Sequence, residues 1–128
     1  MVELSLSHPL QALLIADEYK EDVITGKKKI SIREGMRNYI AGKPFMICDE
    51  KTSFCVKADL KKVRHCIADD VTEEEYRADN YASREEMTTD LKRFYPNFTD
   101  KSFVTVLSWD NVSGYLVDLR AKKWNLNQ

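Results

Sequence analysis

Cysteine is scarce in this chain and odd in number: Cys48, Cys55 and Cys66. Their wide spacing excludes the dense disulfide framework of a small secreted domain. Cys48 and Cys55 lie in apolar runs, Met46-Ile47-Cys48 and Phe54-Cys55-Val56, and read as small buried hydrophobes. His65 stands beside Cys66, but no second pair follows at a zinc-like spacing, so no metal is expected. No apolar run reaches the length of a membrane span. Met1-Val2-Glu3-Leu4-Ser5 lacks the basic-then-apolar layout of a secretion signal, and a cytoplasmic location is expected. Net charge is −1, so no global field draws in nucleic acid. Repeats, low-complexity tracts and linkers are absent too.

What remains is an ordinary globular balance, 43% hydrophobic and 32% charged. At 128 residues the chain reads as one domain over 1–128, long enough to bury a core. That core is expected over 11–117, with a partly flexible tail over 118–128. The charge is unevenly distributed. Lys27, Lys28, Lys29, Arg33, Arg37 and Lys43 form a basic segment broken only by Glu34, while residues 69–90 are acidic. Charge alone reads as two solvated faces of opposite sign, although a local basic patch can also bind an anion.

The apolar pattern predicts a strand over Gln11–Ile15, then a short helix from Asp17 to Ile24 that stops at Gly26. Lys29 to Arg33 alternates, placing Ile30 and Ile32 on one side and Lys29, Ser31 and Arg33 on the other. Residues 34–43 read as a loop with a short helical turn. A strand follows over Pro44–Cys48, then a polar turn at Asp49–Thr52 and a hairpin into the next strand. There Phe54, Val56, Ala58 and Leu60 share a face, and the phase slips by one residue after Lys61-Lys62, as a bulge would make it. Thr72 with Glu75 and Ser83 with Glu86 fit capping boxes, the second helix ending before Pro96. Phe103–Trp109 is a strand, Asn111–Gly114 a turn, and Tyr115–Val117 a last short strand. Five or six short strands with two or three helices indicate an α+β fold, a small curled sheet or open barrel with peripheral helices.

Gly26-Lys27-Lys28-Lys29-Ile30-Ser31-Ile32-Arg33 carries the densest chemistry. A lysine near a hydroxyl can serve as base for a nucleophile. The same cations can instead grip a phosphate or a base edge.

This segment, with Asp17-Glu18-Tyr19 before it, resembles the start of the ASCH family. Ile40-Ala41-Gly42-Lys43-Pro44-Phe45 is similar to that family's turn into its next strand. Leu91-Lys92-Arg93-Phe94-Tyr95-Pro96, followed by Phe103-Val104-Thr105-Val106-Leu107, continues the likeness, which covers roughly residues 11–117. The resemblance implies a PUA-like β-barrel with a nucleoside- or RNA-directed role. One branch of the family comprises small bacterial amidohydrolases that remove the acetyl group of 4-acetylcytidine with a lysine, a hydroxyl residue and a glutamate. On this sequence those fall on Lys28, Ser31 and Glu85, with serine where that branch usually has threonine.

Each candidate has a physical argument of its own. Lys28 needs a depressed pKa to act as base, which burial and its neighbours Lys27 and Lys29 favour. Strand alternation puts Lys29 on the Ser31 face, so Lys29 is the substitute unless Lys28 lies in the turn before the strand. A cap from Ser83 would occupy Glu86 and leave Glu85 free. Arg33 shares the Ser31 face and is expected to bind substrate, as is Tyr39, the aromatic nearest the basic segment. No cofactor is required by that chemistry. The alternative is a module that binds RNA or a nucleotide through Lys27–Lys43 without turnover. A ribonuclease ranks lower, since no histidine pair is available for acid–base work.

Overall fold

The computed structural model describes residues 11–49 and 55–113. The elements follow in the order β1 (Gln11–Ile15), a 3-10 turn (Asp17–Tyr19), α1 (Lys20–Ile24), β2 (Ile30–Glu34), β3 (Pro44–Asp49) and β4 (Cys55–Ile67). A second 3-10 turn (Ala68–Asp70), α2 (Glu73–Ala78), α3 (Arg84–Phe94) and β5 (Phe103–Ser113) complete them. The five strands form one sheet in the order β1-β3-β4-β5-β2. β1 runs parallel to β3, and the other pairs are antiparallel.

β4 is long because it serves two partners, β3 through its first half and β5 through its second. The expected phase slip is a register break between Leu60 and Lys62, joined by a second between Lys57 and Asp59. These bulges increase the local twist and let the sheet curl into a half-barrel. Among the described residues, β1 and β2 are the two edges of this sheet.

Alternation along β2 and β5 splits the apolar side chains between two cores. Leu107 and Trp109 join Leu13, Ile15, Phe45, Ile47, Val56 and Leu60 in one. Ile30, Ile32, Val104 and Val106 pack with Met87, Leu91 and Phe98 in the other. Burying ten largely inaccessible side chains in the first core and nine in the second removes them almost wholly from water. Each such aliphatic or aromatic side chain contributes about 1.5–3 kcal/mol.

The caps form locally. Thr72 and Glu75 make a complete capping box at the start of α2. Ser83 accepts the Glu86 N–H, but the Glu86 carboxylate reaches back one residue further, to the Ala82 N–H at 2.6 Å.

Three expectations need correcting. Cys48 and Cys55 are not independent buried thiols. The β3–β4 register sets them directly opposite one another, 4.1 Å apart at Cα, and they form a disulfide. β5 does not end at Trp109 in a turn over Asn111–Gly114. It runs on to Ser113, with Asn111 in the left-handed region (φ 54°), and Ser113 pairs with Lys57. The short amide side chain of Asn111 tolerates that conformation better than most, so the strand deforms instead of stopping. Residues 34–43 hold no helical turn beyond the closure at Gly42, where the Lys43 N–H meets the Ile40 carbonyl at 3.3 Å. The polar turn around Glu50–Thr52, the side chain of Phe54, the strand expected at Tyr115–Val117 and the tail 118–128 lie outside the described residues.

Candidate active site

The curl brings the two sheet edges toward one another, and the seam between them holds a cleft of about 100 Å³. Leu14 and Ala16 line it from the β1 side, and Ser31, Ile32 and Arg33 from β2. Lys28, Asp79 and four aromatic rings (Tyr19, Tyr81, Phe94 and Tyr95) enclose the rest.

Lys28 enters from the turn, not from the strand. Gly26 takes a left-handed φ of 81°, ending α1, and the Lys28 N–H donates to the Asp22 carbonyl at 2.9 Å. β2 begins only at Ile30, so alternation does not govern Lys28. Its side chain runs inward and is 5% exposed, with its ammonium 5.1 Å from the centre of the Tyr19 ring, a cation–π distance. Lys29 points elsewhere. It stays exposed and pairs with Asp110 at 3.2 Å.

The carboxylate that meets Lys28 is Asp79, in an ion pair buried on both sides. Asp79 also accepts the backbone N–H of Ile32, a donor that β2 leaves free at the sheet edge. The α2 terminus fixes this geometry. The Asn80 N–H bonds the Arg77 carbonyl and the Tyr81 N–H bonds the Tyr76 carbonyl, with Asn80 left-handed at φ 68°. That is a Schellman stop, and it sends Asp79 and Tyr81 together into the seam. Burial pushes the Asp79 carboxyl above the ordinary carboxylate range, against the pull of Lys28 and Arg33.

Ser31 is 4% exposed and lies on the inner face of β2. Its Oγ accepts a hydrogen bond from Arg33 Nε at 2.8 Å. A hydroxyl has one donor and two acceptor positions, so this contact leaves the Ser31 proton free to be donated. Desolvation draws the Arg33 pKa down, with Arg37 adding to the effect. Among the described residues no carboxylate lies within ion-pair distance of Arg33.

The aromatic wall is tied down by Asp90 on α3. Tyr81 donates to Asp90 at 2.6 Å and Tyr19 at 3.3 Å, and Arg93 completes the cluster at 2.7 Å. Desolvation and the neighbouring carboxylates Asp90 and Glu18 push the Tyr19 phenol up to about 12.

Of the residues expected from the sequence, Lys28, Ser31 and Arg33 converge. Glu85 does not join them. It is exposed on α3 and lines a separate depression with Arg84, Thr88 and Lys92. Met87 and Leu91 face the core from that helix, and Glu85, two residues before Met87, turns away from it. Tyr39 donates its hydroxyl to the Ala12 carbonyl at 2.8 Å and packs edge-on against Phe45, outside the cleft. Sequence reasoning missed Asp79 and Tyr19, and preferred Tyr39 to Tyr81 as the aromatic contact. The legible signal for Asp79 was the helix-stopping Asn80 directly after it. Among the described residues no three His, Cys, Asp or Glu side chains converge as metal ligands do.

No family model matches the sequence, and no curated protein matches it. Solved structures do match its backbone. An ASCH protein of Zymomonas mobilis superposes with a TM-score of 0.62 at 12% identity, over 91% of this chain and 80% of that one. An ASCH domain of Lactobacillus crispatus gives 0.62 at 13% identity, over 88% and 85%. A protein of Enterococcus faecalis gives 0.53 at 12% identity, over 89% and 92%. At such identities the likeness is one of backbone, and it establishes that this chain has the fold of an ASCH domain, a PUA-like α+β half-barrel.

Proposed function

We propose that the protein is a hydrolase that removes a small acyl group from the exocyclic amide of a modified cytidine, of the 4-acetylcytidine kind. One observation carries this reading. A buried lysine paired with a carboxylate shares a cleft with a buried serine whose proton has no acceptor among the described residues. A serine hydroxyl needs such a base to act as nucleophile.

Asp79 takes the role assigned from the sequence to Glu85. For Lys28 to act as base, its extra proton must pass to its partner, and a carboxyl raised by burial can accept it. Ser31 Oγ then bonds to the acyl carbon, its proton passes to Lys28, and the carbonyl π pair moves onto oxygen. Collapse of the adduct expels the exocyclic amine, which takes the proton from Lys28. Water opens the resulting ester, releases acetate and restores Ser31. The route uses no metal and no organic cofactor. The cleft suits a small acyl group and the edge of its ring, since its volume of about 100 Å³ is well below that of sites for drug-sized ligands. The Tyr19, Tyr81 and Tyr95 rings supply flat surfaces against which a base can stack.

The alternative, a binding module built on the basic segment, draws less support. Lys28 and Lys29 already have acid partners, and Arg37 is held by the Glu34 carbonyl and the Tyr95 hydroxyl. The carboxylate partners of Lys28 and Lys29 take two of the segment's six cations out of counterion release.

The test is acetate release from 4-acetylcytidine by the purified chain, with Ser31→Ala and Lys28→Ala as controls. Each substitution is expected to lower kcat by more than about a hundredfold. Turnover that survives both removes the mechanism. Absence of turnover together with salt-sensitive RNA binding that weakens in Lys28→Ala selects the module.

A further inference from the structure

We propose that Arg33 is a catalytic residue, the group that stabilises the oxyanion of the acyl adduct formed on Ser31. The inference rests on the hydrolase reading and adds a role beyond general substrate contact.

Arg33 donates through Nε to the oxygen that would become the nucleophile, at 2.8 Å. A guanidinium is a planar fork whose Nε–H and adjacent Nη–H point the same way, spaced to hold the two oxygens of a carboxylate. When Ser31 Oγ bonds to an acyl carbon, that carbon carries Oγ and the new oxyanion as geminal oxygens, spaced much as in a carboxylate. Nε is already on the first oxygen, so the neighbouring Nη–H falls beside the second. Among the described residues nothing else accepts from the terminal nitrogens of Arg33. Its charge is largely buried and, among the described residues, faces no carboxylate at contact distance, so it is strong where the negative charge develops. Before attack, the second donor finds only a neutral carbonyl. The interaction is therefore stronger in the adduct than in the ground state, which is the condition for accelerating the reaction. Lysine cannot reproduce this, because an ammonium is a point charge without a fork.

Methylboronic acid tests the idea directly. Its boron accepts the Ser31 Oγ lone pair while the hydroxyl proton is lost to Lys28 or solvent. The tetrahedral boronate that results is an anion shaped like the acetyl adduct. Boron NMR on the full chain reads the conversion from trigonal to tetrahedral. The wild type is expected to form the adduct and Ser31→Ala to form none. Arg33→Lys is expected to bind about a hundredfold more weakly, with kcat for 4-acetylcytidine falling in proportion and KM little changed. Should Arg33→Lys fail to fold, Arg33→Ala decides: added guanidinium restores boronate binding and added ammonium does not. Equal boronate affinity in Arg33→Lys and the wild type overturns the role of Arg33 and leaves the serine nucleophile standing. Rescue of Arg33→Ala by ammonium as well as by guanidinium also overturns it. Absence of a tetrahedral signal in the wild type removes the nucleophile itself, and this inference with it.

Discussion

Lys28 and Asp79 form a buried ion pair across the seam of the sheet, although 51 residues separate them in the chain. The pair lines the same cleft as Ser31 and Arg33, and it joins the turn after α1 to the end of α2. Its removal has consequences for both stability and chemistry.

Asp79→Ala is expected to destabilise the fold by about 3–5 kcal/mol, because it leaves the Lys28 ammonium buried without a partner. The double change Lys28→Met with Asp79→Leu is expected to cost markedly less, since it removes both charges and fills the space. Urea denaturation of the three proteins measures this. A loss below about 1 kcal/mol for Asp79→Ala would show that solvent reaches the pair, contrary to its 7% side-chain exposure on each partner.

Activity should separate the two carboxylates. Asp79→Asn retains the shape but cannot take up a proton from Lys28, and a fall of about a hundredfold or more in kcat is expected. Glu85→Gln changes an exposed side chain outside the cleft, and kcat/KM should stay within about twofold. Steady-state acetate release from both variants reads the difference. The reverse order would return the catalytic role to Glu85.

Tyr19 carries a pH dependence of its own. Its phenol ionises at about 12 in the fold against an ordinary 10.0, so the folded state holds that proton more tightly than the unfolded chain does. The contribution to stability is complete below about pH 10 and is lost as the pH rises through about 12. Phenolate absorbance should therefore show a step near pH 12 that Tyr19→Phe removes, while Tyr81, which burial and its bond to Asp90 also push up, does not supply that step. A titration curve unchanged by the substitution would mean that Asp90 and Glu18 do not act on Tyr19.

Reduction of Cys48–Cys55 is expected to lower stability by about 2 kcal/mol. The bridge closes a short loop, its cysteines seven positions apart, which limits the entropy it removes from the unfolded chain. Thermal or urea unfolding with and without a thiol reductant measures it, and Cys48→Ala with Cys55→Ala should match the reduced protein. Identical midpoints in both conditions would mean that the β3–β4 pairing holds without the bond.

Much of the scaffold could be read from local patterns. The Leu60–Lys62 bulge was visible as a slip in apolar phase, and the Thr72 and Ser83 caps as spacings of three. The Ser83–Glu86 spacing at α3 marks a helix start at which the Glu86 carboxylate is engaged. It did not reveal which side of the helix faces the seam. That depends on Met87 and Leu91 seating against Val104 and Val106, a contact between elements distant in the chain. The disulfide was hidden for a similar reason, because only the β3–β4 register sets Cys48 opposite Cys55.

By itself the sequence determined that Ser31 and Arg33 share a face and that Lys28 stands just before them. Strand alternation and a glycine stop are properties of a few consecutive residues. The tertiary structure alone decided which carboxylate completes the group. The curl of the sheet opens a seam beside β2, and the left-handed stop at Asn80 turns Asp79 into it. Neither the closing of two edges nor the direction of a chain leaving a helix is encoded in the spacing of the residues that finally meet.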